Sequence, residues 1–334
     1  MPVIDMHAHV TPERFKHAIR TKGSWYGLGA SAGELGLGGF DNPVDVRLAE
    51  MDALGVDMQV VTPNVGFYQY FNELETTKLV ARECNNEMAE MVAAYPDRFA
   101  GMGTVPMQHV PSAIDEMERV MTELGLSGVI INDSAAGKTY DELEFVPFFK
   151  AAEELGAIVF FHQGGGTVTN HRIEKYKLGN SVGNLTERAL VFGALVFGGV
   201  MDKCPDLKAL LAHGGGYTPY GAVRMDKACG ALDRTSPDDP LTARFARHPE
   251  ETYDLRNAPT EYLDRFHYDC CTYSGHVLRF LVDAVGIDQV VLGTDYPAPM
   301  VLADAVNWVR GLEEISAAEK EAILITNPTA LLGK

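Results

Sequence analysis

The sequence predicts one eight-stranded (β/α)8 barrel over residues 1–334, with a small insert at 11–42 after the first strand. Three observations predict it. Strand-like apolar runs alternate with helix-like amphipathic segments eight times, without a composition break or an internal repeat. The runs are continuously apolar, as in parallel strands covered on both faces. Four of them, the first, fifth, sixth and eighth, end in polar residues: His7 and His9, His162, His213, and Asp295. A barrel aims such strand ends at one point. Periodicity alone leaves a doubly wound open sheet as the alternative.

Residues 3–10 form the first strand, where positions i and i+2 share a face, so His7 and His9 can hold one ion between them. Two buried histidines satisfied by backbone groups would give the same pair. The polar ends of the other strands count against that reading. Residues 11–42 hold seven glycines and predict a lid or small subdomain over the strand end. Trp25 and Tyr26 would either line a substrate wall or anchor this insert. Pro43 opens a helix capped by Asp41 or Asn42, with Val44, Leu48, Met51 and Leu54 inward and Gly55 at its end. Residues 58–62 are the second strand. The next helix carries Ala81, Cys84, Met88, Met91 and Tyr95 at helical spacing, which places Cys84 in packing.

The third strand is 100–105, with a helix from Ser112. The fourth is 128–132, followed by a helix that ends at Gly156. The fifth carries His162 and leads through Gly164-Gly165-Gly166 to an apolar helix near 187–201. The sixth ends at His213, before Gly214-Gly215-Gly216 and a helix with Arg224. Residues 234–259, rich in Pro, Asp and Arg, read as a long excursion. The seventh strand is 266–272 and the eighth 289–295. Ser316-Ala317-Ala318-Glu319 is a capping box, and Asn327-Pro328 opens the terminal helix.

Composition narrows the function. A net charge of -18 and a pI near 4.9 repel phosphate backbones, so no nucleic-acid partner is expected. Five cysteines without a Cys-X-X-Cys exclude a zinc knuckle and a disulfide framework and suit a reducing compartment. No basic n-region precedes an apolar run, and no apolar run has transmembrane length. A soluble, cytoplasmic protein without a membrane partner is expected.

Three neutral imidazoles and one carboxylate, His7, His9, His162 and Asp295, suit one divalent first-row metal with room left for water or substrate. Zinc and manganese both fit. His213 would ligate a second metal or act as general acid/base, and the glycines after it allow close backbone approach to a ligand. Asp295 can touch the metal and also move a proton. Arg224 offers a planar fork to a carboxylate, or is a surface arginine. His171 and His276 fall in or near C-terminal loops as candidate pocket residues. His17, His109, His248 and His267 read as structural or solvated. Cys270 and Cys271 alternate faces and are expected to pack.

Asp5-Met6-His7-Ala8-His9, His162, His213-Gly214-Gly215-Gly216 and Gly293-Thr294-Asp295-Tyr296-Pro297 resemble the amidohydrolase superfamily over nearly the whole chain. The nearest branch is the aminocarboxymuconate-semialdehyde decarboxylase-like group, with its γ-resorcylate and 5-carboxyvanillate decarboxylases. The resemblance implies a distorted barrel with one zinc or manganese on His7, His9, His162 and Asp295. It also implies a catalytic His213, a substrate-carboxylate site at Arg224 (in some members across a dimer interface), a small carboxylic acid substrate and a homodimer or higher homo-oligomer. In aminocarboxymuconate-semialdehyde decarboxylase an arginine follows a phenylalanine in the insert. Here Asp41 follows Phe40, a departure that counts against the same substrate. Pro219-Tyr220 and Asp269-Cys270-Cys271-Thr272-Tyr273 are also similar to 4-oxalomesaconate hydratases, so a metal-dependent hydratase or hydrolase is the alternative. The Asp-Tyr-Pro ending favours decarboxylation. A degenerate metal-binding scaffold would be a third class, and the intact ligand set argues against it.

Overall fold

The computed structural model describes residues 1–170, 172, 175–229 and 255–334. His171 and His248 lie outside the described residues, as does the expected excursion up to residue 254. The strands are β1 (Ile4–Val10), β2 (Met58–Pro63), β3 (Phe99–Gly101), β4 (Gly103–Thr104), β5 (Gly128–Ile131), β6 (Ile158–Phe161), β7 (Lys208–Leu211), β8 (Phe266–Asp269) and β9 (Val290–Val291). All neighbours pair in parallel, in the order β1-β2-β3 and β4-β5-β6-β7-β8-β9.

The expected third strand is split into β3 and β4 at Met102. The Met102 N–H donates to Val61 O at 3.0 Å, and the Ser127 N–H donates to Gly101 O at 2.8 Å, so bonding runs across the break. The last strand returns to the first. Met6 N–H donates to Leu292 O at 2.8 Å, Asp295 N–H to His7 O at 2.9 Å, and His9 N–H to Tyr296 O at 2.6 Å. The sheet therefore closes into a barrel, and the open-sheet alternative falls.

Helices Val44–Leu54, Leu74–Ala94, Val110–Thr122, Val146–Leu155, Leu185–Phe197, Thr218–Cys229 and Gly275–Val285 stand between successive strands. Their apolar stripes and the strands' outward residues form one large core. Two starts differ from expectation. Pro43 itself sits at the cap of Val44–Leu54, with no side-chain cap bond, because its extended backbone sets the entry. His109, not Ser112, caps Val110–Thr122, its Nδ1 accepting from Ser112 N–H at 3.3 Å. The capping box forms as expected: Glu319 N–H donates to Ser316 Oγ at 3.3 Å, and Ser316 N–H to Glu319 Oε2 at 2.8 Å. No helix among the described residues is long and apolar enough to cross a membrane.

The segment 11–42 has a core of its own. Helix Glu13–Lys22 buries Phe15, which meets Trp25 and Phe67 edge-on at centroid distances of 5.8 and 5.0 Å. Leu28, Val80 and Cys84 complete this cluster. Trp25 thus anchors the insert, and Cys84 packs as expected. Tyr26 is exposed.

Candidate active site

The parallel strands bring the C-terminal ends of β1, β6, β7 and β9 together, and each delivers its polar residue there. His7 is fully buried, its Nδ1 2.7 Å from Asp269 Oδ2. His9 Nδ1 lies 2.9 Å from Thr62 Oγ1, whose hydroxyl donates onward to Ala8 O. His162 Nδ1 lies 3.1 Å from Gln163 O. A carboxylate, a committed hydroxyl and a carbonyl can only accept here. Each Nδ1 therefore carries a proton, and each Nε2 is the atom left facing the common centre.

Those three Nε2 atoms converge on Asp295 Oδ1, at 3.3 Å from His7, 3.2 Å from His9 and 3.9 Å from His162. The Nε2 atoms of His7 and His9 are 3.2 Å apart, and that of His162 has no hydrogen-bond partner. Nε2 atoms gathered on one carboxylate oxygen hold either protons or a shared cation, and a metal displaces the proton. The four donor atoms lie within 4.8 Å of one another and all four residues are buried, which fits a divalent metal.

Charge is arranged to match. Burial alone would lower the His7 pKa, yet Asp295 and Asp269 overcome it and raise the value to about 10. Burial and the neighbouring imidazoles push His162 well below its ordinary range. Burial would raise Asp295, but His7 and bonds from His213 and His9 hold it well below the carboxylate range. Two carboxylates facing three imidazoles favour positive charge at their centre.

His213 stands on the other side of Asp295, its Nε2 3.6 Å from Oδ2. Its ring lies 4.9 Å from that of His162, and its Nδ1 has no hydrogen-bond partner among the described residues. His213, Tyr273 and Asp295 have φ of 57°, 57° and 61°, left-handed values that strain residues bearing a side chain. Such strain gathers where a side chain must be aimed. The glycines after His213 answer to packing more than to a ligand. A Cβ at Gly216 would lie 2.3 Å from Leu185 O, and one at Gly215 2.5 Å from the Tyr268 ring.

Two lobes of one cavity meet at His213, Asp295 and Asn180. The polar lobe, about 310 Å³, holds His9, His162, Glu34 and several side-chain amides. The apolar lobe, about 380 Å³, is walled by Leu185, Tyr217, Tyr273, Phe280 and Met300. A cavity of about 450 Å³ behind the insert, between Arg14, Met91 and Tyr95, touches none of the metal-centre residues.

The amidohydrolase family profile matches residues 4–334. The chain belongs to the amidohydrolase family. A 2-amino-3-carboxymuconate-6-semialdehyde decarboxylase of Dictyostelium discoideum is 31% identical to this amidohydrolase over 345 residues, covering 99% of the chain and 91% of the relative. The structure of 5-carboxyvanillate decarboxylase from Sphingomonas paucimobilis is 28% identical, with a TM-score of 0.79 and 99% of each chain covered. A dihydroxybenzoic acid decarboxylase from Polaromonas, solved with manganese and 2-nitroresorcinol bound, shares the fold at a TM-score of 0.76 and 22% identity, covering 99% of this chain and 97% of that one. A 2-keto-4-carboxy-3-hexenedioate hydratase of Sphingobium is more distant, 23% identical over 72% of this chain and 65% of its own.

Within this amidohydrolase, His7, His9, His162, His213 and Asp295 come together as the sequence predicts. Arg224 does not join them: it is exposed on helix Thr218–Cys229 and lines neither lobe of its own chain. His276 is corrected. It projects into solvent from helix Gly275–Val285, its Nδ1 3.1 Å from Glu314 Oε1, while Val277 and Phe280 take the lobe-facing positions. Cys270 and Cys271 are both buried, but Cys271 also lines the apolar lobe; burial lifts its thiol pKa well above the usual range. Sequence reasoning gave no role to Asp269, Thr62 or Glu34. Asp269 ends β8 as His162 follows β6, so the same strand-end signal was present.

Proposed function

We propose that this amidohydrolase is a metal-dependent, non-oxidative decarboxylase of an aromatic or muconate-type carboxylic acid, using one zinc or manganese ion per chain. The observation carrying this reading is the Asp295 carboxylate, shared between three imidazole Nε2 atoms on Oδ1 and His213 on Oδ2. Bound there, the ion supplies Lewis acidity toward the substrate's carboxylate and an adjacent oxygen. His7, His9 and His162 would hold the ion through Nε2 and Asp295 through Oδ1. Asp295 Oδ2 and His213 Nε2, 3.6 Å apart at the mouth of both lobes, are the groups placed to deliver a proton. As the bond to the carboxylate breaks, its electron pair stays on the ring or chain carbon. That carbon takes the proton, and CO2 leaves.

Arg224 serves a substrate carboxylate across a homodimer, since it reaches neither lobe of its own chain. His171 is assigned to the pocket wall on its position in sequence alone. The enzyme works in the cytoplasm, where five unpaired cysteines stay reduced.

The test is a panel of hydroxybenzoates and muconate-type acids given to purified protein, with metal content and CO2 measured together. About one zinc or manganese per chain is expected, with CO2 released in step with product and turnover abolished by a chelator. A product that gains water without CO2 would transfer the chain to the hydratases. Full turnover by a metal-stripped His162→Ala protein would sink the metal assignment.

A further inference from the structure

We infer that Glu34 makes the polar lobe select acids carrying a hydroxyl donor over acids carrying a second carboxylate; this rests on the decarboxylase reading above. Glu34 has φ 51°, a left-handed conformation that glycine adopts without strain, in a segment otherwise full of glycine. The strain is retained where a glutamate side chain enters the lobe beside His9, His162 and Asp295.

The turn that presents it is fixed. Thr11 Oγ1 donates to Gly33 O at 2.7 Å, and Glu34 N–H donates to Ser31 O at 3.2 Å. A Cβ at Gly66 would lie 1.9 Å from Ala32 O, and one at Gly33 2.3 Å from the Phe15 ring, so this turn packs tightly on both sides. Asn64 is oriented as well: its Oδ1 accepts from Gly66 N–H at 2.9 Å, which turns its Nδ2 to donate to Glu34 Oε2 at 3.3 Å.

The rest of the lobe supplies amides, from Gln163, Asn170, Asn180 and Asn184. Among the described residues no lysine or arginine lines it. A second substrate carboxylate placed beside Glu34 would meet its charge with no lysine or arginine among the described lining residues to offset it. A carboxylate side chain accepts and does not donate, so its partner on the acid is a hydrogen-bond donor, for which an O–H group is the probe.

Calorimetry on the manganese-loaded full chain tests this with benzoate, 3-hydroxybenzoate and isophthalate, with CO2 followed in parallel. The wild type should bind 3-hydroxybenzoate at least about tenfold tighter than isophthalate. Glu34→Gln should raise the Kd of 3-hydroxybenzoate about tenfold and leave that of benzoate unchanged. Glu34→Lys should make isophthalate the tighter ligand. The inference is overturned if the wild type prefers isophthalate, or if Glu34→Gln weakens benzoate as much as 3-hydroxybenzoate. The expected selectivity, with no CO2 from any hydroxybenzoate or muconate-type acid of the activity panel, would support Glu34 as the selector and overturn decarboxylation. Binding of none of the three acids would overturn the inference and leave decarboxylation to the activity panel.

Discussion

Asp269 accepts four bonds on two oxygens: Oδ2 from His7 Nδ1 and His213 N–H, Oδ1 from Gly214 N–H and Cys271 N–H. It thereby fixes the His7 tautomer and ties the end of β7 to β8. An asparagine there would turn an NH2 group toward one of these donors. Asp269→Asn should lower metal affinity roughly 10–100-fold, measured by competition with a chelator; unchanged affinity would mean His7 needs no such partner. His213→Ala makes the opposite split: metal retained, turnover down roughly 10²–10⁴-fold. If metal content falls with it, His213 is a ligand. The ligands were legible because each ends an apolar run, where a barrel must expose it. Asp269 ends such a run too, but a supporting carboxylate is recognised only by what it touches. Glu34 sits in an irregular segment with no periodicity to read. His276 was misread because nearness in sequence to a strand end does not decide which side of a helix a residue takes.

At the scale of elements, the insert holds Glu34 through its own small core. Trp25 is its largest member and packs on both Phe15 and Phe67. Trp25→Ala should cost about 3–5 kcal/mol locally. Amide hydrogen exchange should quicken across 11–42 while barrel strands keep their protection, and acid binding should weaken as Glu34 loses its support. Uniform quickening through the barrel would show that the insert is not a separate cooperative unit. Strand positions were legible from their continuous apolar runs. The break at Met102 was not, because Val61 O keeps the ladder bonded across it and leaves no mark on hydrophobicity. Cap positions shifted by one to three residues, where Pro43 and His109 replaced the expected side chains.

For the whole molecule, closure depends on bonds between residues nearly a full chain length apart, Met6 to Leu292 and Asp295 to His7. No local pattern encodes them; only the convergence of strand ends hinted at the barrel. Closure also partly buries what the strands carry at the far end. His267 on β8 pairs in register with Leu210, beside Lys208, and its Nδ1 has no partner. Burial, then the Lys208 charge, pushes its pKa down from 6.5 to about 4. Above pH 6.5 the imidazole is neutral in both folded and unfolded chains and has no pH effect. Between pH 6.5 and 4 the unfolded chain binds a proton that the folded chain refuses, so stability falls through that window and levels off below it. His267→Gln removes the titration. Relative to wild type, the variant should gain about 2 kcal/mol between pH 7.5 and pH 5, read from urea unfolding at both values. The metal-site histidines are common to both proteins, so their titration cancels in the difference. A gap that stays constant with pH would show that His267 takes up its proton as readily in the folded barrel as in the unfolded chain.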